Sequence, residues 1–151
     1  MEQAGKLSAI VTQNIDGLHQ AAGSKNVFEL HGSVHRNYCQ KCGKFFDVNY
    51  VVNAKRVPYC DECGGIIKPD VVLYEEGLDS QTINGAVRAI SKADMLIIGG
   101  TSLVVYPAAG MIDYFKGKYL AVLNRDATSR DKQADLCITD PIGEVLGRIR
   151  V

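Results

Sequence analysis

Four of the five cysteines lie in two pairs, Cys39-x2-Cys42 and Cys60-x2-Cys63, with 17 residues between the pairs. A Cys-x-x-Cys knuckle aims two thiolates at one ion, and two knuckles complete a closed tetrahedral zinc site of the ribbon kind. Gly43 follows the first pair and Gly64-Gly65 the second, where the backbone must turn sharply round the metal. Four thiolates leave no open coordination position, so such a zinc stabilises rather than catalyses. His31 and His35 lie near enough to be ligands, but with four cysteines neither is needed. An odd cysteine count in a chain lacking the pattern of an export signal speaks against a disulfide framework. Cys137, in Leu136-Cys137-Ile138, reads as a small buried strand residue, or as one whose backbone lines a pocket.

Other residues suited to chemistry cluster in short polar stretches. Thr12-Gln13-Asn14-Ile15-Asp16-Gly17 concentrates amides and a carboxylate in one turn. Asn and Gln can read hydroxyls and amides, and a carboxylate can hold a carboxamide NH2. The same residues could equally form an Asx-turn network that only shapes a loop. His31, beside Gly32, is a natural general base near neutral pH, although a lone histidine is more often structural. Gly99-Gly100-Thr101-Ser102 can offer amides and hydroxyls to phosphate or ribose oxygens. It is not the G-x-G-x-x-G fingerprint and is a weak signal alone. Asn124 is either a ribose contact or a plain turn asparagine.

The elements that must carry these groups follow from apolar patterning. Strands are expected at Leu7–Val11, Val27–Leu30, Val71–Tyr74, Met95–Ile98, Tyr119–Leu123 and Leu136–Ile138. Ile83, Ala86, Val87 and Ile90 follow helical spacing behind a cap at Asp79 or Ser80. Further helices are expected at Pro107–Phe115 and over 143–150. Residues 35–68 differ in composition and read as a zinc-binding insert. Wholly apolar strands alternating with helices imply an α/β fold with a parallel sheet covered on both faces. Ligands bind beyond the carboxyl ends of such strands, where four of these polar groups fall.

Composition excludes several classes. A 46% hydrophobic fraction with 17 basic and 17 acidic residues is that of a globular domain, not a disordered chain. Zero formal net charge argues against a nucleic-acid partner held by bulk electrostatics. Between His35 and Lys68, six Lys/Arg oppose three Asp/Glu, and four thiolates with one zinc bring that module near neutrality. No apolar run reaches the roughly 18 residues that span a bilayer, so no membrane partner is expected.

Taken together, Thr12–Gly23, Glu29-Leu30-His31-Gly32, the four cysteines and Gly100–Ala109 resemble, in order, the sirtuin family of NAD-dependent protein deacylases. Lys68–Glu76 is similar to that family's substrate-binding segment, with Tyr74-Glu75-Glu76 where most members have Phe-Gly-Glu; the variant looks like a bacterial branch. The resemblance implies a Rossmann-like NAD-binding domain over 1–34 and 69–151, with the zinc module 35–68 inserted. It implies removal of acetyl or other acyl groups from protein lysines in the cytoplasm, giving nicotinamide and O-acyl-ADP-ribose. ADP-ribosyl transfer to protein is a plausible side chemistry of the family. His31 looks like the general base for a ribose hydroxyl, with Asn14 orienting ribose or water and Asp16 bonding the nicotinamide carboxamide. Gln13, Ile15, Gly100, Thr101, Ser102 and Asn124 look like further NAD contacts. Adenine is expected to meet backbone around Cys137–Ile142, with Ile142 the residue named. Val71, Val72, Leu73, Tyr74 and Glu75 would pair with an acetylated protein or peptide by strand addition. Cys39, Cys42, Cys60 and Cys63 would hold Zn2+.

The family's Gly-Ala-Gly phosphate loop, first strand and cofactor-binding loop have no counterpart in Met1–Leu7. The sheet is therefore expected to be incomplete on its N-terminal side. The alternative expectation is a truncated, catalytically incompetent zinc-binding fragment that acts, if at all, as a binding module.

Overall fold

The computed structural model describes residues 1–150. The chain divides into two units, residues 10–83 and residues 1–9 with 84–151.

The first unit begins with β1 (Ile10–Thr12), a short helix α1 (Leu18–Ala21) and β2 (Val27–Glu29). β1 and β2 pair in parallel, Ile10 opposite Val27 and Thr12 opposite Glu29, so both strands end at one level. The Leu30 amide extends the ladder by one bond to the Thr12 carbonyl, 2.9 Å. The expected strand at Leu7 therefore starts three residues later, at Ile10, after successive turns over Met1–Gly5.

β3 (Gly32–Cys39), β4 (Phe45–Asp47), α2 (Val48–Val52) and β5 (Ile67–Val71) follow. The three strands form an antiparallel sheet in the order β4-β3-β5. Asp47 caps α2, its carboxylate accepting from the Tyr50 amide at 2.9 Å. Cys39, Phe46, Cys60 and Ile67 are buried together, with Val51 and Cys63 packed on them. β5 lies earlier than the expected strand Val71–Tyr74, and only Val71 belongs to both. Beyond it the chain turns, because Glu76 takes the Leu73 amide (2.9 Å) and the Lys68 ammonium (3.2 Å).

The β3–β5 ladder is irregular. Ser33 pairs with Asp70, but the next partner, Pro69, pairs with Asn37. Proline has no N–H to give, so the ladder breaks there and Val34, His35 and Arg36 bulge away from β5. The bulge is held internally: the Ser33 hydroxyl accepts from the His35 amide (3.2 Å), and the buried Asn37 amide donates to the Val34 carbonyl (3.1 Å).

The second unit carries most of α3 (Ser80–Lys92), then β6 (Met95–Gly99), β7 (Tyr119–Leu123), β8 (Leu136–Ile138) and α4 (Ile142–Gly147). The cap of α3 is Asp79, whose carboxylate accepts from the Thr82 amide (2.7 Å) and hydroxyl (2.8 Å). α3 buries Ala86 and Ile90. β6, β7 and β8 are parallel and in that order, with Gly99, Leu123 and Ile138 in line at their carboxyl ends. Ile98, Leu103, Leu120 and Val122 form the core under this sheet. The parallel strands thus lie in two separately bonded sheets.

Three expectations in this unit are corrected. The helix at Pro107–Phe115 is a 3-10 helix over Ala108–Tyr114, tightened by i+3 bonds such as Gly110 N–H to the Pro107 carbonyl. Its central Gly110 is a poor α-helix former. The terminal helix spans Ile142–Gly147, so Ile149 lies beyond it. Cys137 is exposed rather than buried, because β8 is an outer strand of its sheet. Among the described residues no helix is long and apolar enough to cross a membrane.

Two backbone positions yield predictions. Gly32 has φ 76°, and a Cβ there would overlap the Asp70 carbonyl oxygen. Gly32→Ala should cost on the order of 3 kcal/mol or more, from a left-handed conformation plus a backbone clash. Glu75 has φ 73°, a conformation that disfavours any side chain. Glu75→Gly should stabilise the chain by about 0.5–1 kcal/mol, since the relief exceeds the added entropy of the unfolded state. Denaturant midpoints at unchanged m-value check both; a neutral Gly32→Ala or a destabilising Glu75→Gly would contradict these conformations.

Candidate functional site

In the first unit the ends of β1 and β2 bring the Gln13–Gly17 loop beside His31. His31 Nδ1 lies 3.0 Å from the Gln13 carbonyl oxygen. A carbonyl only accepts, so Nδ1 carries a proton, and in the neutral ring the lone pair is then on Nε2. One hydrogen bond thus selects the tautomer of the ring. The His31 carbonyl accepts from the Val72 amide at 3.1 Å, which ties the histidine to the chain leaving β5.

The loop itself is stitched at close range. The Asn14 amide donates to the Thr12 hydroxyl (3.0 Å), and the Leu18 amide to Asp16 Oδ1 (3.0 Å). These are the local turns that the sequence admits, and they leave the second Asp16 oxygen outside the turn. Asn14 and Asp16 are exposed, while Gln13, Ile15 and His31 are half-buried. Two bonds from the β3 bulge complete the seam: Val34 N–H to the Ile15 carbonyl (3.1 Å) and His35 Nε2 to the Asp16 carbonyl (2.9 Å). Arg36 binds the enclosed Glu29 carboxylate at 2.7 Å and Asp70 at 2.8 Å, fixing β2, β3 and β5 together.

The substrate-segment residues divide. Val71 is in β5 and Val72 gives its amide to His31, whereas Leu73 has its amide taken by Glu76. Leu73, Tyr74 and Glu75 are exposed. The Leu73 amide and the Lys68 ammonium both hold the Glu76 carboxyl below its usual range.

In the second unit, Gly100, Asn124 and the run to Ile142 leave the carboxyl ends of β6, β7 and β8 at one edge. The Gly100 amide reaches the Leu123 carbonyl (3.1 Å) and the Asn124 amide the Ile138 carbonyl (3.0 Å). Asn124 Nδ2 donates to the Asp126 carbonyl at 2.7 Å, leaving its side-chain oxygen as an acceptor. The Ile142 side chain covers Gly99, where a Cβ would displace it. Thr101 Oγ1 accepts from the Leu103 amide at 3.3 Å. Leu103 has φ 57° and is buried in the core, so packing holds a strained turn directly after Thr101-Ser102. Sequence reading missed this strain, since nothing about a leucine announces a left-handed conformation.

The four cysteine sulfurs lie within 4.8 Å of one another, with Cys39–Cys63 at 3.4 Å and Cys42–Cys60 at 3.7 Å. A tetrahedral zinc with Zn–S of about 2.3 Å needs sulfur separations of about 3.8 Å, so the residues fit that ion. The knuckles are built alike: Gly43 N–H bonds the Cys39 carbonyl and Gly64 N–H the Cys60 carbonyl, each at 3.0 Å and each glycine at positive φ. At Gly65 a Cβ would sit 2.7 Å from Cys39 Sγ, so the cradle admits only glycine. The Cys42 and Lys41 amides hold the Cys39 thiol down at about 6. The Gly65 amide favours the Cys63 thiolate too, but the neighbouring Cys39 and Cys42 sulfurs push Cys63 up to about 12. Four such sulfurs are all thiolate only beside a cation. Lys44 latches the two knuckles, meeting Asp61 at 2.7 Å and Glu62 at 2.9 Å.

The sequence profile of the Sir2 family matches residues 1–107. This chain belongs to the Sir2 family. The Sir2-family chain is 67% identical over 147 residues to the NAD-dependent protein deacetylase of Clostridium acetobutylicum, covering 97% of this chain and 60% of that protein. It is 65% identical over 150 residues to the Clostridium perfringens deacetylase, covering 99% and 62%. The chain thus spans about three fifths of the length of the curated relatives it matches. Among solved structures, a Sir2–p53 peptide–NAD+ complex has a TM-score of 0.89 at 39% identity, covering 97% of this chain and 63% of that one. Sir2 bound to acetylated peptide gives 0.88 at 38%, covering 97% and 64%. The fold of this Sir2-family chain is therefore the sirtuin fold, with its four-cysteine cluster at metal-binding distance.

Elemental analysis of this Sir2-family chain should find one zinc per molecule, and Cys60→Ser should lose it. Chelation should accelerate amide exchange first over residues 32–71, because the ion closes the ribbon to which β3 is tied. Full protection in the metal-free chain would contradict a structural zinc.

Proposed function

We propose that this chain serves an NAD-dependent protein deacetylase, with His31 as the general base. The observation that carries the reading is the Nδ1–H bond to Gln13, which supports an unprotonated Nε2 on His31. NAD, when bound, would supply the ribose carbon that takes the acyl oxygen as nicotinamide leaves and the ribose hydroxyl that takes the acyl group, and with one water consumed the products would be free lysine, nicotinamide and O-acyl-ADP-ribose. His31 Nε2 accepts the proton of a ribose hydroxyl. Asn14 and Gln13 orient that ribose. Asp16 offers its carboxylate to the carboxamide NH2, against Ile15. Gly100, Thr101 and Ser102 offer amide and hydroxyl donors to phosphate, with Asn124 and Ile142 toward the adenosine. The first set suits an amide and a ribose, and the second, taken by itself, suits phosphate and ribose oxygens.

The substrate class is an acetylated lysine in a protein or peptide, presented along Val71, Val72, Leu73, Tyr74 and Glu75 by main-chain pairing. We read residues 1–34 and 69–151 as the NAD-binding domain and 35–68 as its zinc-bearing insert. Four unpaired thiols gathered for a metal suit a reducing compartment, and we assign the protein to the cytoplasm.

Incubation with NAD and an acetyl-lysine peptide should release nicotinamide and O-acetyl-ADP-ribose, identified by mass spectrometry. His31→Ala should lower turnover by about 10²–10⁴-fold, the range for loss of a general base, while keeping its zinc. Undiminished turnover in His31→Ala would refute the assignment, and ADP-ribosylated peptide as the main product would replace the reaction.

A further inference from the structure

Among the bonds that hold the Gln13–Gly17 loop, one comes from a histidine side chain not otherwise used. His35 Nε2 lies 2.9 Å from the carbonyl oxygen of Asp16, across 19 residues of sequence. The carbonyl can only accept, so Nε2 is the protonated nitrogen. The same ring lies on Gly17, where an added Cβ would come within 2.7 Å of His35 Cδ2. Gly17 has φ 70°, the turn that reverses the chain into α1. His35 thus meets two consecutive residues: it bonds the Asp16 carbonyl, and its ring fills the space that a side chain at Gly17 would need.

The placement of His35 is itself built. Its amide is held by Ser33 Oγ (3.2 Å), and it sits in the bulge that Pro69 imposes on β3. Without that bulge, His35 would stand in the β3–β5 ladder. Bulges next to sites re-aim side chains, and this one turns Val34 and His35 onto Ile15 and Asp16.

We propose that His35 is a positioning residue for Asp16. It fixes the peptide unit that follows Asp16, and with the Leu18 amide on Oδ1 it leaves the carboxylate aimed for an amide ligand. This role rests on the reading of Asp16 as the carboxamide contact. His35 acts on Asp16 through the loop.

The test uses this chain loaded with zinc, as wild type, His35→Phe and His35→Gln. Phenylalanine keeps a ring over Gly17 without a donor, and glutamine keeps a donor without the ring. Amide exchange read by NMR needs no ligand. In His35→Phe, exchange at Leu18, whose amide the Asp16 carboxylate holds, should accelerate about five- to tenfold, the weight of one hydrogen bond, while Asn37–Cys39 is unchanged; His35→Gln should restore protection. Unaltered exchange in His35→Phe, or equal loss throughout β3, overturns the proposal. In the deacetylation assay, KM for NAD should rise by a similar factor in His35→Phe, with KM for peptide constant and recovery in His35→Gln. A change confined to KM for peptide also overturns it. Absence of turnover in the wild type would instead sink the deacetylase reading, and the exchange measurement would still decide whether His35 clamps the loop.

Discussion

The hydrogen bond between His31 Nδ1 and the Gln13 carbonyl is the contact on which the account of the site depends. It joins the end of β1 to the start of β3 and selects one tautomer of the imidazole. Without it, either nitrogen could carry the proton and the histidine would be a donor as readily as a base. Parallel pairing of β1 with β2 makes the contact possible, because Thr12 and Glu29 end level and the next residues of each strand meet.

The rest of the first unit keeps that level. Gly32 lets β3 leave His31 in a left-handed turn pressed against Asp70, a position closed to any side chain. Pro69 then breaks the ladder, and the freed residues bond the loop and Glu29, with only the Arg36 side chain still reaching Asp70 of β5. Beyond the bulge β3 ends at Cys39, a member of the four-cysteine cluster. A zinc there would anchor the far end of the strand that begins beside His31. The metal's contribution to function is then mechanical, which suits a site with no open coordination position.

Much of this was legible in the sequence, for identifiable reasons. The cysteine pairs, the polar ends of Val27–Leu30 and Tyr119–Leu123, and the cap of α3 are local patterns, and the structure has each of them. The strand at Val71–Tyr74 was misplaced because apolar composition does not reveal which residues the ribbon will pair; β5 includes Lys68, Pro69 and Asp70, none a strand former by type. The apolar neighbours of Cys137 suggest burial, but strand order rather than composition decides exposure. His35 and Arg36 gave no signal, since their partners lie 19, 7 and 34 residues away. The left-handed Glu75 is half-legible: the resemblance sets it against the glycine of Phe-Gly-Glu, a residue that suits this backbone conformation.

The central claim is that His31 is held with Nδ1 protonated and Nε2 free. Long-range proton–nitrogen NMR of the imidazole, above the titration of the ring, reads this directly. The account predicts a pyrrole-like Nδ1 and a pyridine-like Nε2 in the wild-type chain. A pyrrole-like Nε2, or averaging of the two nitrogens as in a free histidine, would contradict it.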